Sequence, residues 1–200
     1  MANSKRNDER LRQLIAQECA RIFTEEGVRD FRLAKRKASD RLGVSGRTSL
    51  PSNQEIEQAV LEYQRLFCQE EQAQLQDLRA IALEGMEFLE PFQPRLVGSV
   101  LKGIVVPRPE VELHVFAGTS EDVLIYLMDR TVTFETTERR LRVGADRHDC
   151  FPVVRFSRDG IIFDLTVFSD QNGREPPKSP VDGRPMQRAG IDEVRFMLAG

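Results

Sequence analysis

Apolar residues return at helical spacing through the first ninety positions and in short alternating runs after them, so the chain reads as helices followed by a sheet. From Asp8 to Glu26, the residues Leu11, Leu14, Ile15, Ile22 and Phe23 recur on one helical face, and Gly27 supplies a stop. Asp30 is placed to cap a second helix, which carries Phe31, Leu33, Ala34 and Ala38, runs through Leu42 and ends at Gly43. Residues 43–52 read as a loop. Ser52-Asn53-Gln54-Glu55 is a capping box, in which serine and glutamate each satisfy the other's free backbone amide. Beyond it Ile56, Val60, Tyr63, Leu66 and Phe67 make one apolar face, which Leu75, Leu78, Ile81, Ala82, Met86 and Leu89 extend. No proline precedes Pro91, so the pattern leaves open whether residues 53–90 form one helix or two.

At Pro91 the pattern changes to runs rich in branched and aromatic residues, separated by proline, glycine and aspartate. The predicted strands are Arg95–Val97, Val111–Phe116, Thr131–Thr136, Arg139–Val143, Val153–Phe156 and Ile161–Phe168. Ser157-Arg158-Asp159-Gly160 carries an Asp-Gly hairpin signal, and Thr119–Arg130 has a cap-like start with Val123, Leu124 and Leu127 at helical spacing. Asp170–Pro185, with four prolines and two glycines, predicts an extended loop, and a short helix is expected over Asp192–Leu198. The fold class is α+β. Its expected parts are a helical region at residues 1–90, a sheet core at 91–170, and a loop with a short helix at 171–200.

Two hundred residues with 40% hydrophobic content suffice for a real core. A net charge of −3 excludes the overall basic excess of a non-specific nucleic-acid binder. No apolar run is long enough to span a membrane, and the charged amino terminus is no leader, so a cytoplasmic location is expected. Cys19, Cys68 and Cys150 are odd in number and widely spaced, which argues against a disulfide framework or a zinc cluster.

Candidate chemistry begins at Glu110-Val111-Glu112. Alternation along a strand puts both glutamates, and His114, on one face. Like charges held that close need a cation between them, and an oxygen-only ligand set favours Mg²⁺ or Mn²⁺ over zinc. Asp164 lies inside the apolar run Ile161–Phe168, where a charge is costly unless something positive meets it. Gly98 lets a backbone approach a ligand closely, Ser99 adds a hydroxyl and an amide, and Lys102, Arg95 and Arg108 are the nearest cations for phosphates. His114, alone on its strand, reads first as structural. The basic residues Arg29, Arg32, Lys35, Arg36, Lys37, Arg41 and Arg47 read first as a solvated helix face, with nucleic acid a weakly supported partner.

Val97-Gly98-Ser99, the gap of ten residues, Glu110-Val111-Glu112 and Phe163-Asp164-Leu165 together resemble the nucleotidyltransferase superfamily of DNA polymerase beta and the minimal nucleotidyltransferases. Gly98-Ser99-Val100-Leu101-Lys102-Gly103 resembles the family's GSxxxG, and the resemblance covers about residues 94–168. It implies a nucleotidyltransferase-like core in which Glu110, Glu112 and Asp164 hold Mg²⁺ or Mn²⁺ and are catalytic. Gly98, Ser99 and Lys102 would bind the nucleotide. The implied reaction moves a nucleoside monophosphate from a nucleoside triphosphate onto a hydroxyl of an unknown acceptor. The chain departs from the family in having Pro109-Glu110 where serine and aspartate are usual. The alternative is a catalytically degenerate relative that binds or regulates, with its helical first half contacting a protein or nucleic acid.

Overall fold

A computed structural model describes residues 2–44, 50–67, 69–144, 147–169 and 175–199, without the side chains of 2–5, 67 and 69–72. Helices come first: α1 (Ala2–Glu26), α2 (Phe31–Arg41), α3 (Asn53–Phe67) and α4 (Gln69–Phe88). Then follow β1 (Arg95–Val97), α5 (Gly98–Lys102), β2 (Glu110–Ala117), α6 (Ser120–Asp129), β3 (Phe134–Arg142), β4 (His148–Arg158), β5 (Ile161–Ser169) and α7 (Ile191–Ala199). The fold is α+β. Contacts divide it into two compact units: residues 1–72 with 104–108 and 180–182, and residues 73–103 with 109–179 and 183–200.

The first unit is built from amphipathic helices with chemically explicit ends. Asp30 caps α2 by accepting from the Leu33 amide at 2.7 Å, and the Ser52–Glu55 box closes α3 with bonds of 2.7 and 3.2 Å. Ile15, Cys19 and Ile22 of α1 bury against Ala34 and Ala38 of α2 and Ile56 and Val60 of α3. Small residues on α2 let the helices approach. Leu14 and Leu66, expected on the apolar faces, lie outside this seam and are exposed. Helix α1 starts earlier than its apolar stripe, because the polar residues before Asp8 contain no glycine or proline to stop it. Gln64 is buried, and its amide group donates to the Val105 carbonyl and accepts from the Val105 amide.

The second unit holds a five-stranded sheet of order β1-β2-β5-β4-β3, antiparallel except for the parallel β2–β5 pair. Val111, Leu113 and Val115 of β2 line up with Phe163, Leu165 and Val167 of β5 on one face. Gly85 of α4 lies against Phe163, Phe88 of α4 meets Phe156, and Tyr126 of α6 stacks edge-on to both Phe88 and Phe92. That helix-covered face is the core. Asp159 and Gly160 both take positive φ (52° and 78°), the backbone a two-residue hairpin between twisted strands requires.

Two of the predicted strands, Thr131–Thr136 and Arg139–Val143, are one: β3 runs unbroken through Thr137 and Glu138 because β4 pairs with all of it. Strand β4 likewise starts at His148, before the expected Val153. Ahead of Val153 it pairs with β3 alone, so Pro152, which lacks an N–H, leaves no ladder bond to β5 unmade. Of the three cysteines, Cys19 is buried and Cys150 exposed, while Cys68 lies outside the described residues, as do Arg47 and part of the predicted 43–52 and 170–185 loops. Among the described residues no helix is long and apolar enough to cross a membrane.

The Gly85–Phe163 contact gives a direct test of helix-on-sheet packing. A Cβ at Gly85 would overlap ring carbons of Phe163, itself fully buried. Gly85→Val should destabilise the protein by about 1–3 kcal/mol through overpacking, read as a lower urea midpoint. An unchanged midpoint would refute the close approach of α4 to β5.

Candidate functional site: an acidic face neutralised by arginine

Glu110, Glu112, Asp164 and Thr166 all stand on the sheet face opposite the helices. The parallel register makes this so: Glu112 lies beside Asp164 and His114 beside Thr166. On β4, Arg155 is the partner of Asp164, and on β3 Glu135 and Arg139 point to the same side. The expected convergence of the three acids on one face therefore holds.

Gly98 abuts this face. Its φ of +72° needs glycine, and a Cβ there would come within 2.5 Å of the Glu112 carboxyl group, so turn and acid are in contact. Ser99 and Lys102 lie on the same short helix, α5, which is a single turn of five residues and so carries little dipole. Arg95 sits on β1 opposite His114, its guanidinium against Gly190. Arg108 belongs to the other unit, where its carbonyl accepts from Arg29 at 2.8 Å.

What meets Asp164 and Glu110 is arginine. Asp164 is only 2% exposed, and its two oxygens accept from Nη1 and Nη2 of Arg139 at 2.9 Å each, a bidentate pair. Arg139 Nη1 also reaches Thr166 Oγ1 at 3.2 Å. Arg155 ties Glu110 to the same aspartate: its Nη2 donates to Glu110 Oε1 at 2.8 Å while its Nε lies 3.4 Å from Asp164 Oδ2. Removing a charge as buried as Asp164 from water is tolerable only with such a partner.

His114 is 2% exposed and makes an equally specific contact. Arg188 Nε donates to its Nδ1 at 2.9 Å, so the ring is the neutral tautomer with its proton on Nε2. Burial, with Arg188 and Arg139 nearby, pushes its pKa from 6.5 down to about 3. The ring lies 4.7 Å from Phe168, and Arg188 stacks over Phe168 and Phe116. His114 is structural.

Oxygen-only carboxylates suit a hard cation, but these do not stand as a metal-ready group. Among the described residues no three His, Cys, Asp or Glu side chains are placed to hold an ion. Asp164 and Glu110 are engaged by guanidinium groups, so the residues as arranged do not fit the Mg²⁺ or Mn²⁺ that the sequence resemblance implies. Arg139 and Arg155 are the site residues that sequence reasoning missed. Their signal was present, since a buried aspartate demands a cation and Arg155 occupies an in-phase position in the run Val153–Phe156.

No protein-family model matches this sequence, and no curated protein does. Among solved structures the chain is similar to Cid1, whose described activity is RNA terminal uridylyl transfer. The identity is 15% and the TM-score 0.30, over 58% of this chain and 37% of that one. The chain thus spans little more than a third of that protein's length, and so loose a likeness bears on neither its fold nor its chemistry.

Two measurements check the site. Arg139→Gln should cost about 2–4 kcal/mol, because it strands the buried Asp164 charge; the half-exposed arginine keeps the figure below that of a fully buried pair. Asp164→Asn made in the same chain should recover much of the loss, and a strictly additive cycle would deny the coupling.

The pH response follows from His114. Its folded pKa lies below its unfolded value, so the unfolded chain takes up the proton first as pH falls through about 6.5. Stability is lost from there down towards about 3, by at most about 1.4 kcal/mol per pH unit. His114→Gln keeps an acceptor for Arg188 and should flatten the decline of unfolding free energy between neutral and acid pH. Equal slopes in the two proteins would rule out the buried neutral imidazole.

Proposed function

We propose that this chain is a nucleotidyltransferase-like protein whose acidic face has been neutralised by its own arginines, so that it binds or regulates and does not transfer. The observation that carries the reading is the clamp on Asp164: Arg139 takes both its oxygens, and Arg155 ties it to Glu110. A fixed guanidinium supplies the positive charge that buried carboxylates require, and it cannot activate a hydroxyl as a divalent ion does. Glutamate in place of the usual first aspartate agrees with a site released from catalytic geometry.

In this reading the helical unit is the partner-binding part. A protein partner suits it better than nucleic acid, because part of its basic cluster is neutralised internally: Lys37 pairs with Glu26, and Arg41 with Glu18 and Glu26. Such exposed pairs add little stability, yet they reduce the net field a phosphate backbone would meet.

A second reading, metal-dependent transfer of a nucleoside monophosphate, is favoured by one observation: Glu112 and Asp164 lie side by side next to the Gly98 turn, as the resemblance requires. In that case Glu110, Glu112 and Asp164 are the Mg²⁺ ligands and catalytic residues, and Gly98, Ser99 and Lys102 hold the nucleotide.

Thermal melting of the full chain with Mg²⁺ or Mn²⁺ and each of the four common nucleoside triphosphates, followed by an assay for released pyrophosphate, separates the two. The degenerate reading expects no saturable rise in melting temperature beyond charge screening and no pyrophosphate. A real site would add about 2.7 kcal/mol at a hundredfold excess over Kd. Saturable stabilisation together with pyrophosphate release, both abolished by Glu112→Gln, would replace the degenerate reading with the transferase.

A further inference from the structure

Strand β3 is an edge of the sheet, bonded to β4 on one side only. An open edge offers its outward N–H and C=O groups to a further strand. Hydrogen bonding alternates along an antiparallel strand, and the Val143 amide bonds back to the Arg147 carbonyl across the β3–β4 turn, so odd-numbered residues of β3 face β4 and even-numbered ones face outward. Arg142 fits that phase: its carbonyl accepts from the Lys178 amide at 2.6 Å, which closes the edge at that end. The outward backbone groups of Phe134, Thr136, Glu138 and Arg140 are left open among the described residues. Neither proline nor a bulge blunts the stretch Phe134–Arg140, whose pairing with β4 is unbroken.

The charges on that stretch have both signs, and their order suits a second copy of the same strand. A two-fold axis between antiparallel copies stands perpendicular to the sheet, so one residue must lie opposite its own copy. Centring the pair on Glu138 or Arg139 sets like charges against each other at the axis, and centring it on Thr136 shortens the paired stretch to Phe134–Glu138. Thr137 is the middle of the open stretch. Centring there opposes threonine with threonine, Glu135 with Arg139 of the second copy, and Phe134 with Arg140 of the second copy, each charged pairing occurring twice by symmetry. The Glu135–Arg139 pairs fall at the close, non-hydrogen-bonded positions, where opposite charges favour pairing most.

We propose that two copies of this chain associate through β3, antiparallel about Thr137, so that their five-stranded sheets run on as one. The second copy then reaches the acidic face. Glu135, which has no ion-pair partner among the described residues, meets Arg139 of the second copy, whose side chain is 37% exposed even while it holds Asp164. Metal and nucleotide play no part in this, so the dimer stands whichever reading of the acidic face is correct.

Sedimentation velocity of the full chain from about 1 to 100 µM should show a monomer–dimer equilibrium, since a strand pair is a small interface and binds at the weak end of the range. Glu138→Pro removes an outward amide and leaves the β3–β4 ladder whole, so it should abolish the dimer with the melting temperature nearly unchanged. Glu135→Lys, at an exposed position, should raise the dimer dissociation constant about tenfold by facing Arg139 with a like charge. The register is read by crosslinking in a chain whose Cys68 and exposed Cys150 are replaced by serine: Thr137→Cys should form a disulfide with its own copy under oxidised glutathione, and Glu135→Cys, displaced along the strand from its copy, should not. A chain monomeric across the whole range, a dimer undiminished by Glu135→Lys, or crosslinking at position 135 equal to that at 137 would each overturn the proposal.

Discussion

A carboxylate buried beneath a sheet surface must be met by positive charge, and the opposite face of this sheet is organised around that requirement at Asp164. Arg139 comes from the edge strand β3 and Arg155 from β4, so two antiparallel neighbours deliver their guanidinium groups to one residue of β5. The arrangement works because the strands are in register. A slip of one residue in β4 would send Arg155 into the helix-covered core and Val154 or Phe156 out to the acids.

The two faces therefore divide the work. Phe163, Leu165 and Val167 anchor the sheet to α4 and α6, while Asp164, Thr166 and Phe168 build the polar side with its aromatic margin. Strand β5 is buried on both faces, which explains why it reads as a nearly unbroken apolar run carrying a single acid. Neutral His114, held by Arg188, extends the polar side without adding charge.

Local chemistry was legible in the sequence wherever it was self-contained. The Asp30 cap, the Ser52–Glu55 box, the Asp159-Gly160 hairpin and the one-sided placement of Glu110, Glu112 and His114 depend on neighbours a few residues apart, and the structure has each of them. Asp164 as a residue needing a cation was equally plain. The identity of that cation was not, because Arg139 and Arg155 reach it only through strand pairings 25 and nine residues away in sequence, and alternation fixes a face without fixing a register. The same limit divided β3 in two. Thr137 and Glu138 have no apolar signal of their own, and only the length of β4 beside them makes the strand continuous.

Helix α4 begins in one compact unit and ends in the other, its second half bringing Gly85 against Phe163 and Phe88 against Phe156 of the sheet. A fragment cut at residue 91, where the amino-acid pattern changes most visibly, would leave Phe163 and Phe156 without their lid and present an apolar surface to water. Such a piece would be prone to clump. A fragment intended to retain the sheet in isolation has to carry the latter turns of that helix with it, so the boundary that matters for dissection falls inside a regular helix and away from any turn.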